Sequence, residues 1–350
     1  MPLPQRAGRQ FVRWLRQFMV PYVKEPGLLP ELNLRSHGLV AVAGFHRLPD
    51  AMQPTRPQAL FKPSILPRLL RLPQWLKNGF VFFPAFFAGV LFQADVIGRL
   101  LAGFLSFSLV ASAIYLVNDL RDVEQDRLHP VKRLRPIAAG EVDPALVPWA
   151  SALLALAGLG WAWLTDIHFA MVLAAYAALN LLYSFRLKHI PIVDVAIIAI
   201  GFLLRVHSGG ILAHVPNSKW ILLVTFLLAL FLALAKRRND LVQANGGTDL
   251  RASLHGYNLP FVDASMITLA ALVVQSYILY TVSEDVIERL GTDRVYITSG
   301  FVVLGMMRYF QLTLVEHRTG DPTKLVFKDR PIQLIILAWA ISFGIILYAG

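Results

Sequence analysis

The sequence predicts an all-α, polytopic membrane protein, on three observations. Hydrophobic residues make up 56% of the 350, and the mean hydropathy of +0.56 is too high for an ordinary soluble domain. Nine apolar runs approach the roughly 20 residues that a helix needs to cross a bilayer. The basic residues also sort by loop. With the segment before the first span placed inside, the inner loops carry 15 Lys and Arg and the outer loops 4. This asymmetry follows the positive-inside rule.

The expected spans are 79–98, 100–117, 145–165, 168–185, 191–213, 219–235, 261–283, 295–314 and 331–349. Several contain Gly or Pro, which membrane helices tolerate. The charge bias puts the loops after spans two, four and six on the cytoplasmic side of the inner membrane and the C-terminus outside. Topology accounts for most of the +11 formal charge, so the basic balance does not call for a nucleic-acid partner. The chain has no Cys, which excludes disulfides, thiolate metal sites and Cys nucleophiles. The sequence leaves the oligomeric state open.

Residues 1–66 form a separate Pro- and Arg-rich extension, and residues 67–350 form the membrane body. Arg6, Arg9, Arg13 and Arg16 alternate with Phe11, Val12, Trp14, Leu15 and Phe18. That pattern fits either a basic amphipathic helix on an anionic membrane surface or an unstructured extension. No compact apolar core precedes a small-residue site, so a cleavable signal peptide is not expected.

The polar text clusters on one side. After span two comes Asn118-Asp119-Leu120-Arg121-Asp122-Val123-Glu124-Gln125-Asp126, followed by Lys132, Arg133 and Arg135. On a continuous helix Asn118, Asp119, Asp122 and Asp126 share one face. Three bare carboxylates on one stripe repel and need a cation, and hard oxygen ligands suit Mg²⁺ bridged to substrate phosphate. Glu124 falls on another face and reads as a solvated charge. Tyr183 and Lys188 follow span four, and Lys236, Arg237 and Arg238 follow span six. Lys77 and Asn78 stand at the cytoplasmic mouth of span one. The basic triplet after span six is either a phosphate-binding cluster or an ordinary positive-inside flank. Arg205 is the single formal charge deep in a span; it faces the bundle interior and serves either a structural role, bonding carbonyls or an Asp, or substrate contact.

These residues carry a family resemblance. The spacing NDxxDxxxD in NDLRDVEQD, followed by RPIAAG, resembles the UbiA superfamily of intramembrane prenyltransferases. Further similarity lies in LPQWLKNGFVFFPAFFAG, YSFRLKHIPIVDV, FLALAKRRNDL and KDRPIQL. It covers roughly residues 70–349 and excludes the N-terminal extension. The resemblance implies a nine-span UbiA-like bundle with an active-site cavity on the cytoplasmic side.

Within the superfamily the chain resembles members that transfer 5-phosphoribose from 5-phosphoribosyl 1-diphosphate to a polyprenyl phosphate, with Mg²⁺. The resemblance further implies a product leading towards arabinose donors for a cell wall. It assigns Asp119, Asp122 and Asp126 to the metal and diphosphate, with Asn118 orienting them. Lys132, Arg133 and Arg135 would grip phosphate, Tyr183 and Lys188 would position donor or acceptor, and Lys77 would serve at the mouth. Prenyl-transferring relatives carry a second Asp-rich motif after span six. Here that position reads Lys236-Arg237-Arg238-Asn239-Asp240. Cations in place of carboxylates suit a donor with a second phosphate. The competing readings are an aromatic prenyltransferase of the same superfamily and a non-enzymatic transporter or scaffold.

Overall fold

The computed structural model describes residues 63–129, 131–244, 254, 256–316, 325–326 and 328–348. The expected surface helix around Arg6–Phe18 lies outside the described residues.

The described fold is all-helical. After short helical turns from Pro63 to Phe87, the elements are α1 Ala94–Arg121, α2 Val123–Leu128, α3 Val147–Thr165, α4 Ile167–Phe185 and α5 Val193–Ala213. Then follow α6 Lys219–Ala244, α7 Leu259–Thr281, α8 Glu284–Leu290, α9 Ser299–Phe310 and α10 Arg330–Tyr348. Seven of these (α1, α3, α4, α5, α6, α7 and α10) are long and apolar enough to cross a membrane. The starts are set locally. Asp166 accepts from Phe169 N at 2.9 Å and caps α4, and Asn258 accepts from Phe261 N at 2.8 Å and caps α7. Asp329 accepts from Ile332 N at 3.0 Å, with Pro331 in the first turn of α10.

Two expected spans differ from the structure. The break expected near residue 99 falls at residues 88–93 instead, with Gly89 at φ +74. Residues 94–98 therefore open α1. Their charges are accommodated at its first turns, where Arg99 pairs with Asp95 at 3.1 Å and donates to Leu212 O at 2.7 Å. The stretch before the break is a 3₁₀ segment, Leu76–Phe82, running into a short α-turn, Phe83–Phe87. The other difference is the stretch expected at 295–314, which is a 3₁₀ turn (Arg294–Thr298), α9 and a π segment (Gln311–Val315) in succession.

Helices in lipid gain little from apolar burial against each other and rely on close packing. α1 is the hub, packed against α3, α4 and α5, while α6 lies between α5 and α7. A Cβ on Gly158 of α3 would stand 2.8 Å from Val110 Cγ2 and 2.9 Å from Ser106 O of α1. A Cβ on Gly209 of α5 would collide with Val81 O. These glycines let backbone meet backbone. One core gathers Val81, Leu100, Phe107, Phe169, Leu173 and Leu212 around α1 and α5. A second gathers Phe231, Leu234, Met266, Tyr309 and Leu312 around α6, α7 and α9.

The intramembrane charge finds its partners within the bundle. Arg205 donates to Asn78 Oδ1, Gly201 O and Tyr176 OH, each at 2.8 Å, and its guanidinium lies over the Tyr176 ring. Asn78 in turn donates to Ser108 Oγ at 2.9 Å. The arginine thus ties the 76–82 segment to α1, α4 and α5. It is a structural pin, and it does not touch Asp194, which pairs elsewhere.

Candidate active site

The polar clusters after α1, α4 and α6 meet at one end of the bundle. Arg121 Nη1 donates to Ser184 O at 2.6 Å and its guanidinium covers the Phe185 ring, which locks the end of α1 to the end of α4. Lys188, on the 3₁₀ turn after α4, reaches Asp122 Oδ1 at 2.9 Å. Arg237 of α6 pairs with Asp194 of α5 at 2.8 Å.

The carboxylates do not sit on one uninterrupted helix. α1 ends at Arg121, Asp122 is its cap, and Asp126 lies on α2. The i to i−4 bonds nevertheless continue across the joint, with Asp122 N to Asn118 O at 3.0 Å and Asp126 N to Asp122 O at 2.8 Å. The side chains therefore stay near the expected stripe but divide into two groups. Asp119 and Asp126 turn towards Arg135, whose Nη1 is 2.9 Å from Asp119 Oδ1 and 2.5 Å from Asp126 Oδ2. Lys132 adds a looser contact to Asp126 at 3.6 Å. Asp122 turns to Lys188 and accepts from Asn118 Nδ2 at 3.2 Å.

The expectation of three bare carboxylates is corrected by these pairs. Asp119 and Asp126 are nearly buried, at 6% and 1% exposure, and a buried carboxylate needs a paired cation of this kind. One such cation was not picked out from the sequence. Arg71 bonds Asp119, stacks over the Tyr115 ring at 4.6 Å and sits in left-handed backbone at φ +53. It lies 48 positions from its partner, so no local spacing connects the two.

The other expected residues fall as follows. Arg133 is exposed on the turn that carries Lys132 and makes no ion pair among the described residues. Tyr183 lies against Arg237. Arg238 is bound to Asp263 at 2.6 Å and to Thr313 O at 3.2 Å. Arg237 also reaches Asp240 at 3.3 Å. Both guanidiniums are thus engaged by protein acceptors, at 7% and 8% exposure, while Lys236 is exposed. Glu124 is a surface charge paired with Arg127 at 2.9 Å. His129 accepts from the backbone N of Val131 and Lys132, which organises the turn.

An apolar cavity of about 620 Å³ lies among the 76–88 segment, α6, α7, α9 and α10. Phe80, Phe87, Phe202, Tyr277 and Trp339 line it, and Lys77 lies at its border on the same segment as Arg71. Leu228 and Leu232 of α6 line it too. Lys236 is one turn further along that helix face.

The donor set fits a hard divalent cation. Two carboxylate oxygens already converge on one positively charged atom, and Mg²⁺ characteristically takes one or two carboxylates, with water and substrate phosphate completing its shell. Among the described residues no three His, Cys, Asp or Glu side chains are placed to ligate a single ion. An ion here would share its ligation with the substrate.

Comparison with known proteins adds to this geometry. The profile of the UbiA prenyltransferase family matches residues 81–328. The chain belongs to the UbiA family. Its UbiA relatives include a decaprenyl-phosphate phosphoribosyltransferase of Mycolicibacterium smegmatis, 36% identical over 310 residues, covering 85% of this chain and 97% of that protein. The enzyme of the same name from Corynebacterium glutamicum is 35% identical, covering 80% and 86%. Among solved structures, a UbiA homolog from Archaeoglobus fulgidus bound to DMAPP and Mg²⁺ superposes with a TM-score of 0.62 at 17% identity. It covers 81% of this chain and 99% of its own. That likeness establishes the UbiA fold for a multi-pass membrane protein.

Proposed function

We propose that this protein is a Mg²⁺-dependent transferase that moves 5-phosphoribose from 5-phosphoribosyl 1-diphosphate to a polyprenyl phosphate and releases diphosphate. The observation that carries the reading is the site itself. Paired carboxylates are surrounded by Arg71, Lys132, Arg135 and Lys188, and the segment that follows Arg71 brings Lys77 into the lining of an apolar cavity. Such a site matches a polyanionic, water-soluble donor on one side and a lipid on the other. The mycobacterial and corynebacterial relatives are named for phosphoribosyl transfer to decaprenyl phosphate, which supports the acceptor and the transferred group. The catalytic body is residues 67–350, its nine spans being the seven long helices with the broken stretches 76–87 and 294–315. The site faces the cytoplasm, where a soluble donor is available, and the C-terminus lies outside.

Asp119, Asp122 and Asp126 would hold Mg²⁺ together with the donor diphosphate, and the ion would supply charge neutralisation for the departing diphosphate. Asn118 orients Asp122. Arg71, Arg135 and Lys188 exchange carboxylate for phosphate oxygens as the donor arrives, and Lys132 and Arg133 border the same loop. Lys236 and Lys77, near the cavity, face the lipid phosphate. Arg237 and Arg238, held by Asp194 and Asp263, add positive potential behind the second phosphate, with Tyr183 against Arg237.

The lipid phosphate oxygen is anionic at neutral pH, so the site needs neither a protein nucleophile nor a strong general base. That oxygen bonds ribose C1 as the bond from C1 to the diphosphate oxygen breaks, and the electron pair leaves with diphosphate. The protein aligns the reactants and stabilises the leaving group.

The test uses purified protein in detergent with donor and polyprenyl phosphate. Lipid-linked phosphoribose should form, stop on chelation, and resume when Mg²⁺ is restored. Asp122→Asn should lower the rate by about 10²-fold or more while the protein stays folded. Undiminished transfer by Asp122→Asn would remove the metal and diphosphate assignment.

A further inference from the structure

Lys188 reaches Asp122 from a turn that ends in an unusual residue. Ile192 has φ +69 with ψ −46, a positive-φ conformation that β-branched side chains rarely adopt. Both of its backbone polar groups are used. Its C=O accepts from Ala196 N at 2.9 Å in the first turn of α5. Its N–H donates to the hydroxyl of Tyr257 at 2.6 Å, 65 positions away on the segment that leads into α7.

That hydroxyl donates its own proton to Asp194 Oδ1 at 2.6 Å, and Asp194 Oδ2 holds Arg237 at 2.8 Å. Burial first, and the bond to Asp194 second, push the Tyr257 hydroxyl above the usual tyrosine range, so it stays protonated and keeps donating. The neighbouring residue makes a second contact between the same segments. Gly256 lies directly against Pro191, where a Cβ would collide with the proline ring.

We propose that Tyr257 is a positioning residue, a latch through which the segment before α7 holds the 187–192 turn so that Lys188 faces Asp122. The strained residue is the reason a latch is needed. Without the hydroxyl, the Ile192 N–H loses its partner and the turn relaxes towards an ordinary backbone conformation. Lys188 is four residues away on that turn and moves with it. Tyr257 touches neither donor nor acceptor, and its effect on Lys188 runs through residue 192, while Asp194 Oδ2 keeps its own 2.8 Å bond to Arg237 without the hydroxyl. The inference rests on the proposed transfer reaction for its kinetic readout, and on amide exchange for a readout independent of it.

The experiment compares full-length wild type and Tyr257→Phe in detergent. Hydrogen–deuterium exchange is followed in the peptide containing residues 187–193, and the rate against donor concentration. The expected result is faster exchange in that peptide and a KM for 5-phosphoribosyl diphosphate raised about tenfold, with kcat changed less than KM. Ile192→Gly added to Tyr257→Phe should bring the donor KM back to within about threefold of wild type, because Gly adopts φ +69 unaided. Unchanged exchange and unchanged KM in Tyr257→Phe would overturn the latch, as would a defect that Ile192→Gly leaves in place.

Should Tyr257→Phe not yield folded protein, Gly256→Ala displaces Pro191 without touching the hydroxyl. It must raise both exchange and donor KM, and normal values for both would overturn the proposal. A wild type that exchanges slowly in this peptide but transfers nothing would refute the transfer reaction and leave the latch standing on exchange alone.

Discussion

Arg71 reaches the first carboxylate of the site from the short helical turns that precede α1. Its guanidinium bonds Asp119 while lying flat over Tyr115, a combination suited to a planar, delocalised cation. Arg71→Lys should therefore behave like a loss of function, with transfer falling roughly tenfold to a hundredfold as for removal of an oriented charge. Rescue to wild-type rates by Lys would show that charge alone matters. The carboxylates and Lys188 were legible from spacing and topology, because alternate spans must bring their polar ends to one side. Arg71 was not, because nothing in Arg71-Leu72-Pro73 separates it from a membrane-flank arginine. The triplet Lys236–Arg238 was legible as a charge cluster only. That Arg237 and Arg238 would be engaged by Asp194 and Asp263 depends on how α6 meets α5 and α7.

At the scale of elements, close helix approach decides the framework. Gly158 of α3 has no room for a side chain against α1, whereas Gly160 has nothing within 4 Å. Gly158→Leu should lower the thermal midpoint in detergent, by about 2 kcal/mol of overpacking, and Gly160→Leu should leave it nearly unchanged. Equal effects of the two would contradict the assigned α1–α3 contact. Arg205→Met should likewise destabilise, by about 2 kcal/mol, because Asn78 and Tyr176 lose a buried partner. A stability unchanged from wild type would remove its role as a pin for the 76–82 segment. Most spans were visible as apolar runs with caps at their ends. The break at 88–93 was not, because 79–98 is apolar throughout except near its end. Residues Asp95 and Arg99 look like loop charges until they are seen to pair one turn apart on α1.

At the scale of the whole molecule, the fold combines a charged end with an apolar cavity that has Lys77, on the segment after Arg71, in its lining. Asp119 and Asp126 belong to the first, and Phe80 and Trp339 to the second. A prenyl diphosphate needs a cationic site at one end only, whereas a phosphorylated sugar diphosphate and a lipid phosphate together bring more negative charge to be matched. The abundance of Arg and Lys around three carboxylates is the physical argument for the sugar donor. A dual-label assay tests it most directly. The donor carries one phosphorus label on the 5-phosphate and another on the diphosphate, and purified protein is supplied with polyprenyl phosphate and Mg²⁺. The 5-phosphate label should enter the lipid extract and the diphosphate label should be released as free diphosphate, in equal amounts. No label in the lipid extract, with transfer instead of a prenyl group from a prenyl diphosphate to an aromatic acid, would contradict it.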